Sequence, residues 1–105
     1  MSSIFTKIIA REIPANIEYE DDEVIVIHDI NPQAKTHLLI IPKKEIPTIN
    51  DLEKDDTQLL ANMFFTAKDI AIKKGIEEWY KLQFNVGTLG GQEVFHIHLH
   101  LLSDI

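Results

Sequence analysis

Residues 96–102 read His-Ile-His-Leu-His-Leu-Leu, so three histidines alternate with aliphatic residues. Successive side chains of a β-strand point to opposite faces, so an extended segment here places His96, His98 and His100 on one face and the aliphatic residues on the other. Alternate residues of a strand lie ~6.6 Å apart, so neighbouring imidazoles on one face can contact the same ligand. Because each buried imidazole needs hydrogen-bond partners, three in a row would make a poor core. The spacing therefore predicts a functional site.

Two kinds of chemistry suit such a cluster. A neutral imidazole has an unperturbed pKa of ~6.5, so it can act as a nucleophile toward phosphorus and as a general acid or base near neutral pH. In that case a central imidazole attacks, an acceptor holds its other ring nitrogen, and a neighbour protonates the leaving group. His28 and His37 are further candidates from other strands. Alternating histidines on a strand also suit zinc and other transition metals, so a metal-dependent hydrolase is a rival hypothesis.

The composition limits the class of protein. A chain of 105 residues has room for one domain, residues 1–105. It contains no cysteine, which excludes disulfides and thiolate metal sites, and we expect a cytoplasmic location. The net charge of -7 disfavours nucleic-acid binding, so a bound phosphate must be held locally by N–H groups and imidazoles. The first ten residues lack a secretory pattern and no apolar run reaches the ~20 residues that span a bilayer, so we expect no membrane association.

Helical and strand patterns alternate along the chain. They predict an α+β domain with an antiparallel sheet of about five strands, one long helix and one short N-terminal helix. The short helix follows the capping residues Ser2 and Ser3 and ends before Pro14. The long helix covers residues 55–74, with Gly75 as its C-terminal stop. The predicted strands are residues 17–20, 24–28, 38–42, 80–86 and 94–101.

Two further features concern binding surfaces. Residues 87–91, Gly-Thr-Leu-Gly-Gly, join the last two strands and are flexible enough to turn backbone N–H groups toward a ligand. A plain hairpin turn explains the same glycines. Ala61, Phe65 and Ile72 lie off the main apolar stripe of the long helix, and so small a domain has little core left to cover them. We therefore expect a partner subunit on that side.

Several segments together resemble a known family. Residues 96–102 resemble the His-φ-His-φ-His-φ-φ signature, with φ hydrophobic, of the histidine-triad (HIT) nucleotide-binding hydrolases. Residues 5–14 (FTKIIAREIP), 28–44 (HDINPQAKTHLLIIPKK) and 85–102 (NVGTLGGQEVFHIHLHLL) are similar to the Hint branch, the purine nucleoside phosphoramidate hydrolases. The resemblance covers nearly the whole chain. It implies a HIT-like fold, a homodimer whose two sheets join, no metal or other cofactor, and hydrolysis of P–N bonds of the AMP-NH2 or AMP-lysine type.

The resemblance also implies a role for each matching residue. His98 is similar to the nucleophile that forms a nucleotidyl-histidine intermediate, and His96 to the residue that orients it through its backbone carbonyl. His100 and His37 resemble the residues that contact the phosphate and the leaving group. The other implied substrate-binding residues are Asn85, the Gly91 N–H and Gln92 around the phosphate, Glu93 near the leaving group, Asp29 at the ribose, and Phe5, Ile8, Ile13, Ile27, His28 and Ile30 around the purine. Without the resemblance, Asp29 is most simply a turn residue beside Asn31-Pro32, and His28 is equally a pocket residue or a packing residue.

Two positions depart from the family pattern. Glu93 stands where many animal members carry a serine near the leaving group. The sequence ends at Ile105, three residues after the motif, whereas family members commonly continue with a tail toward the partner's active site. We therefore expect an altered, less selective preference for the leaving amine. The short C-terminus also motivates a second hypothesis, a nucleotide-binding or interaction module that has no turnover.

Overall fold

A five-stranded antiparallel sheet organises the protein, and the computed structural model describes residues 2–105 of it. The strands are β1 (Ile17–Glu20), β2 (Val24–His28), β3 (Thr36–Pro42), β4 (Lys81–Gln83) and β5 (Leu99–Ser103). Their order in the sheet is β1-β2-β3-β5-β4. The helices are α1 (Ile4–Ile9) and α2 (Thr57–Lys73), with short 3-10 turns at Ile49–Asp51, Lys54–Asp56 and Thr88–Gly90. The predicted α+β class, the strand number and the long and short helices are confirmed.

Alternation along the central strands gives the sheet two apolar faces. One face packs against α2, and its central members are Val24, Val26, Leu38, Ile40, Leu99 and Leu101. The other face packs against Phe5 and Ile8 of α1, and its members are Ile25, Ile27, Leu39 and Ile41. Full burial of each such side chain stabilises the fold by about 1.5–3 kcal/mol, so both helices are held on the sheet by apolar contact. The histidine face is the one that carries α1.

The helix ends follow local hydrogen-bonding rules. Ser3 caps α1, because its hydroxyl accepts the Thr6 N–H at 3.1 Å. The long helix begins at Thr57 rather than at residue 55, since the preceding turn is a 3-10 turn in which the Asp56 carboxylate accepts the Glu53 N–H. The helix ends before Gly75, whose φ of +74° favours glycine. The predicted stop at Gly75 is confirmed.

The predicted strand at residues 94–101 is wrong in its first half. β5 begins at Leu99, and His96 lies in a bend before it. Residues 96–98 make hydrogen bonds outside the sheet. Ile97 N–H donates to Ile46 O at 2.8 Å, and the His98 ring donates to His96 O. The side chains nevertheless alternate as predicted, because Ile97 lies in the core beneath α2.

Two other strands differ in length from the prediction. β3 begins two residues earlier than predicted, at Thr36, while β4 covers only three residues of the predicted 80–86. β4 ends at Gln83, beyond which the Gln83 amide donates to Asn85 Oδ1 at 2.9 Å and the chain turns into a loop. β1 and β2 have the predicted bounds.

Apolar side chains of α2 stay exposed on the side away from the sheet. Phe65 is 60% exposed and Ile72 is 52% exposed. The rest of the chain thus leaves exposed most of the apolar residues of α2 for which a partner subunit was expected. Within residues 2–105, neither helix is both long enough and apolar enough to cross a membrane.

Candidate active site

A cavity of about 660 Å³ opens on the histidine face of the sheet. Its apolar wall includes all the residues expected around a purine, which are Phe5, Ile8, Ile13, Ile27, His28 and Ile30. Asp29, His37, His98 and His100 line its polar floor. Asn85, Gly91 and Glu93 line the side formed by the loop before β5. Of these, Ile30 lies at the rim with 90% of its surface exposed.

The central imidazole, His98, has a fixed proton. Its Nδ1 lies 2.8 Å from the backbone carbonyl of His96, and a carbonyl can only accept, so Nδ1 carries the hydrogen. Burial lowers the pKa of His98, which keeps the ring neutral at neutral pH. A neutral ring with Nδ1–H has its lone pair on Nε2. His98 lines the cavity, and a ring in this state has the lone pair that a nucleophile needs.

His96 is held from both sides and is itself fully buried. Its Nε2–H donates to Pro42 O at 2.7 Å, so its Nδ1 accepts the Ser3 hydroxyl hydrogen at 2.6 Å. Burial lowers the pKa of His96 and disfavours its charged form. With both ring nitrogens engaged, His96 acts through its backbone carbonyl on His98. The residue whose backbone carbonyl was predicted to orient His98 thus has its own side chain held by two protein groups.

His37 and His100 form a second linked pair. Gln33 N–H donates to His37 Nδ1 at 3.0 Å, so a neutral His37 carries its hydrogen on Nε2. That Nε2–H donates to His100 Nδ1 at 2.9 Å. Asp29 Oδ2 lies 3.4 Å from His37 Nε2. His100 therefore carries its own hydrogen on Nε2. The outcome is one imidazole lone pair, on His98, beside one imidazole N–H donor, on His100, with the ring centroids 4.8 Å apart.

The electrostatics favour neutral rings throughout the cluster. Burial, and then the neighbouring His98 and His37, lower the pKa of His100 to about 4. Burial also lowers the pKa of His37, although Asp29 opposes that effect. Positive charge is thus disfavoured on each ring until a bound anion supplies compensation. This arrangement preserves the nucleophile, because a protonated His98 would have no lone pair.

In the loop before β5, the two groups predicted to hold a phosphate, the Gln92 side chain and Gly91 N–H, bond to other parts of the protein. The Gln92 side chain is buried and faces away from the cavity lining, because its amide donates to Pro47 O at 2.6 Å and Val94 O at 3.0 Å and accepts Gly87 N–H at 2.9 Å. Gly91 N–H closes the turn by donating to Thr88 O at 3.1 Å. Neither group is free to cradle a phosphate in this conformation. Gln92 instead fixes the course of the loop, and the Gly91 φ of +92° turns it toward the triad.

Asp29 and His28 both line the cavity, and each also makes a contact within the protein. Asp29 Oδ1 accepts the Asn31 N–H at 2.8 Å, which makes Asp29 a turn residue as well as a cavity residue. The His28 ring contacts Glu18 Oε1 at 2.9 Å. Asn85 donates to Gly91 O at 3.4 Å and so links β4 to the loop.

One group in this site could hold a cation. Ligand atoms of Asp29, His37 and His100 all lie within 4.8 Å of one another. This set differs from the three histidines of the sequence motif that the metal hypothesis assumed. His96 is unsuited to ligation here because both of its ring nitrogens bond to protein groups.

Sequence reasoning missed several groups that shape the site. Gln33 acts through its backbone N–H, which no side-chain motif reveals. Ser3 was identified only as a helix cap, although its hydroxyl also reaches His96 across 93 residues of sequence. Leu39 lines the cavity, and the alternation of β3 could have placed it there, since it shares a face with His37.

Comparison with known proteins gives consistent matches over nearly the whole chain. A family model described as "Scavenger mRNA decapping enzyme C-term binding" matches residues 2–105. The purine nucleoside phosphoramidase of Escherichia coli K12 is 52% identical over 102 residues, which is 96% of this chain and 86% of that protein. A HIT family hydrolase from Legionella pneumophila superposes with a TM-score of 0.96 at 53% identity, covering 99% of this chain and 94% of the other. A HIT family hydrolase from Clostridium thermocellum gives 0.94 at 43% identity, covering 99% and 91%.

Proposed function

This chain belongs to the histidine-triad (HIT) family, and from that premise we propose that it hydrolyses the P–N bond of purine nucleoside 5′-phosphoramidates, of the AMP-NH2 or AMP-lysine type. The similarity to a purine nucleoside phosphoramidase supports the reaction class. The observation that carries the proposal is the proton arrangement of two rings. His98 offers an Nε2 lone pair because His96 O holds its Nδ1–H, and His100 offers an Nε2–H beside it.

These groups suit a two-step reaction through a nucleotidyl-histidine. The bound phosphate anion compensates positive charge on His100, so this ring can be protonated in the substrate complex. In the first step His98 Nε2 forms a bond to the α-phosphorus as the P–N bond breaks, and the departing nitrogen takes the Nε2 proton of the protonated His100, which is left as a neutral ring. In the second step water attacks the phosphorus, the bond to His98 breaks, and a proton from that water returns to His100 Nε2. The P–N bond is thus replaced by a P–O bond, with an amine and a nucleoside monophosphate as products.

The cavity wall supports a purine nucleotide as the bound part of the substrate. Its apolar side chains offer a surface on which the face of a flat base would pack, which is the usual character of a ligand pocket. The Asp29 carboxylate belongs to a residue of the same cavity lining and lies 3.4 Å from His37 Nε2, and it would accept a hydrogen bond from a ribose hydroxyl. The N–H groups expected at Gly91 and Gln92 are engaged, so we assign phosphate contact chiefly to His100.

We further propose that the protein is a homodimer that functions in the cytoplasm without a metal. The exposed Phe65 and Ile72 support a second copy on the outer side of α2. β4 is an edge strand, which offers unpaired backbone groups to the same partner. The absence of cysteine fits a reducing compartment, and the net charge of -7 argues against nucleic acid as a partner.

Turnover of adenosine 5′-phosphoramidate in the presence of EDTA tests the proposal. We expect AMP and ammonia to form at the same rate with and without the chelator. Loss of turnover in EDTA, restored by a divalent metal, would identify a metal-dependent hydrolase. Binding of AMP with no product from any phosphoramidate would identify a binding module instead.

A further inference from the structure

Glu45 ties the first turn of α1 to the segment that follows β3. Its Oε1 accepts the Ser3 N–H at 3.0 Å and the Thr6 hydroxyl hydrogen at 2.5 Å. One carboxylate oxygen therefore accepts two donors from the same short helix. Charge-assisted bonds of this kind are about twice as strong as neutral ones. The Ser3 N–H and the Thr6 hydroxyl lower the pKa of Glu45, so it is ionised at neutral pH.

The bond from the Thr6 hydroxyl to Glu45 leaves Ser3 as the hydroxyl donor to His96. Ser3 Oγ lies 2.6 Å from His96 Nδ1, and Thr6 Oγ1 lies 3.5 Å from the same nitrogen. A hydroxyl has a single hydrogen, and that of Thr6 is committed to Glu45. Ser3 is thus left as the donor to His96. Without Glu45, Thr6 would be free to compete for His96 Nδ1, and the first turn of α1 would lose both of its ties to residue 45.

The effect continues from His96 to the nucleophile. His96 is held between Ser3 and Pro42 O, and its carbonyl holds the His98 ring. In the same helix turn, Phe5 contacts both rings edge-on, with centroid distances of 5.7 Å to His96 and 5.0 Å to His98. A movement of this turn therefore changes the support of both imidazoles.

We propose that Glu45 is a positioning residue for catalysis, which holds the first turn of α1 so that Ser3 fixes His96 and, through it, His98. The inference depends on the proposed function for its reaction. The body of α1 needs no such help, because Phe5 and Ile8 are buried against the sheet by apolar contact. Removal of the carboxylate should therefore disturb the orientation of the nucleophile more than the purine wall.

The principal test compares Glu45→Leu with Glu45→Gln, and uses Glu12→Leu as the matched control. Glu12 is an exposed glutamate just after the same helix and does not line the cavity. We expect Glu45→Leu to lower kcat for adenosine 5′-phosphoramidate at least tenfold, since small misplacements of reacting groups are costly. The Kd for AMP should change less than threefold. Glu45→Gln, which retains an acceptor oxygen, should keep at least a third of kcat, and Glu12→Leu should match the wild type.

A double substitution separates positioning from general damage. Ser3→Ala removes the hydroxyl on His96, so Ser3→Ala with Glu45→Leu should cost no more than the more damaging single change, because both act through one chain of contacts. Multiplicative losses would overturn the proposal. So would an unchanged kcat in Glu45→Leu, or an equal loss of kcat and AMP affinity.

A readout without turnover keeps the two proposals distinct. The Nδ1–H of His98, held by His96 O, should give a downfield proton resonance that exchanges slowly with water in the wild type and in Glu12→Leu. In Glu45→Leu, with the fold intact by circular dichroism, that resonance should broaden or disappear. Its persistence would overturn the role of Glu45. If the wild type fails to hydrolyse any phosphoramidate, the proposed function fails while this measurement still decides the positioning role.

Discussion

His98 donates its Nδ1 hydrogen to the backbone carbonyl of His96, 2.8 Å away. The donor and the acceptor stand two residues apart in the chain, in the bend before β5. The bend is what brings ring and carbonyl together, since a regular strand would direct that carbonyl toward its neighbour. The departure from strand geometry at the triad thus creates the lone pair on which the proposed chemistry depends.

Replacement of the nucleophile should separate chemistry from binding. We expect His98→Ala to lower kcat by about 10⁴-fold or more, because a nucleophile stabilises the transition state far more than the bound substrate. AMP affinity, measured by calorimetry, should change little. Glu12→Ala is the control, since this exposed residue does not line the cavity. Retention of a tenth of the wild-type turnover would contradict the assignment.

The buried rings predict lower stability in acid. The pKa of His100 is about 4 in the folded protein and ~6.5 in the unfolded chain, so the unfolded chain binds more protons between these values. The free energy of unfolding should therefore fall as the pH drops from 6.5 toward 4, by on the order of 3 kcal/mol for His100. Urea denaturation at several pH values measures this slope. His100→Asn should make it shallower, and an unchanged slope would show that His100 is not buried as a neutral ring.

Gln92 should matter for stability rather than for phosphate contact. Gln92→Ala removes a buried side chain that bonds Gly87 N–H, Pro47 O and Val94 O, and each lost hydrogen bond contributes about 0.5–1.5 kcal/mol. We expect a clear fall in Tm, whereas the exposed Gln58→Ala should alter stability by less than about 0.5 kcal/mol. If Gln92→Ala instead keeps its Tm and loses only activity, Gln92 acts as a ligand after all.

A charged side chain on the outer face of α2 should dissociate the proposed dimer. Phe65→Glu would bury an unpaired carboxylate at the proposed interface, at a cost of ~3–5 kcal/mol. Light scattering of the wild type should give the mass of a dimer, and that of Phe65→Glu the mass of a monomer. Gln58→Glu adds the same charge at the start of α2, where the helix dipole favours it, and should stay dimeric. A dimer that survives Phe65→Glu would place the interface elsewhere.

Glu93 lines the cavity and should influence the choice of leaving amine. A carboxylate near the departing nitrogen favours cationic amines, and a contact worth ~1–3 kcal/mol changes kcat/KM by roughly 10- to 200-fold. AMP linked to the lysine side chain should therefore react faster than AMP linked to a neutral alkyl amine. Glu93→Ser and the isosteric Glu93→Gln should both reduce that ratio toward one. An unchanged ratio in either variant would exclude a charge contact.

The central strands were predictable because their apolar residues are continuous or alternate, and the sheet has to bury both faces. The strand at residues 94–101 was only half right because side-chain alternation persists through the bend, while the backbone bonds of Ile97 and His98 leave the sheet. Gln92 beside a glycine-rich loop has the composition of a phosphate site, and only the position of Pro47 O reveals its structural role. The contact of Glu45 with Ser3 joins residues 42 positions apart, which no local pattern encodes.

The backbone N–H of Gln33 affects how many substitutions the site tolerates. It sets the proton position on His37, and so on His100, yet it belongs to the main chain and its side chain takes no part. Any residue except proline supplies the same N–H, so residue 33 can vary widely while the proton arrangement persists. The carbonyl groups of Pro42 and His96 are equally indifferent to the side chains that accompany them. Backbone groups therefore fix much of the proton arrangement in this site. Most single amino-acid substitutions at the residues that supply those backbone groups keep the groups themselves, so the arrangement tolerates such substitutions.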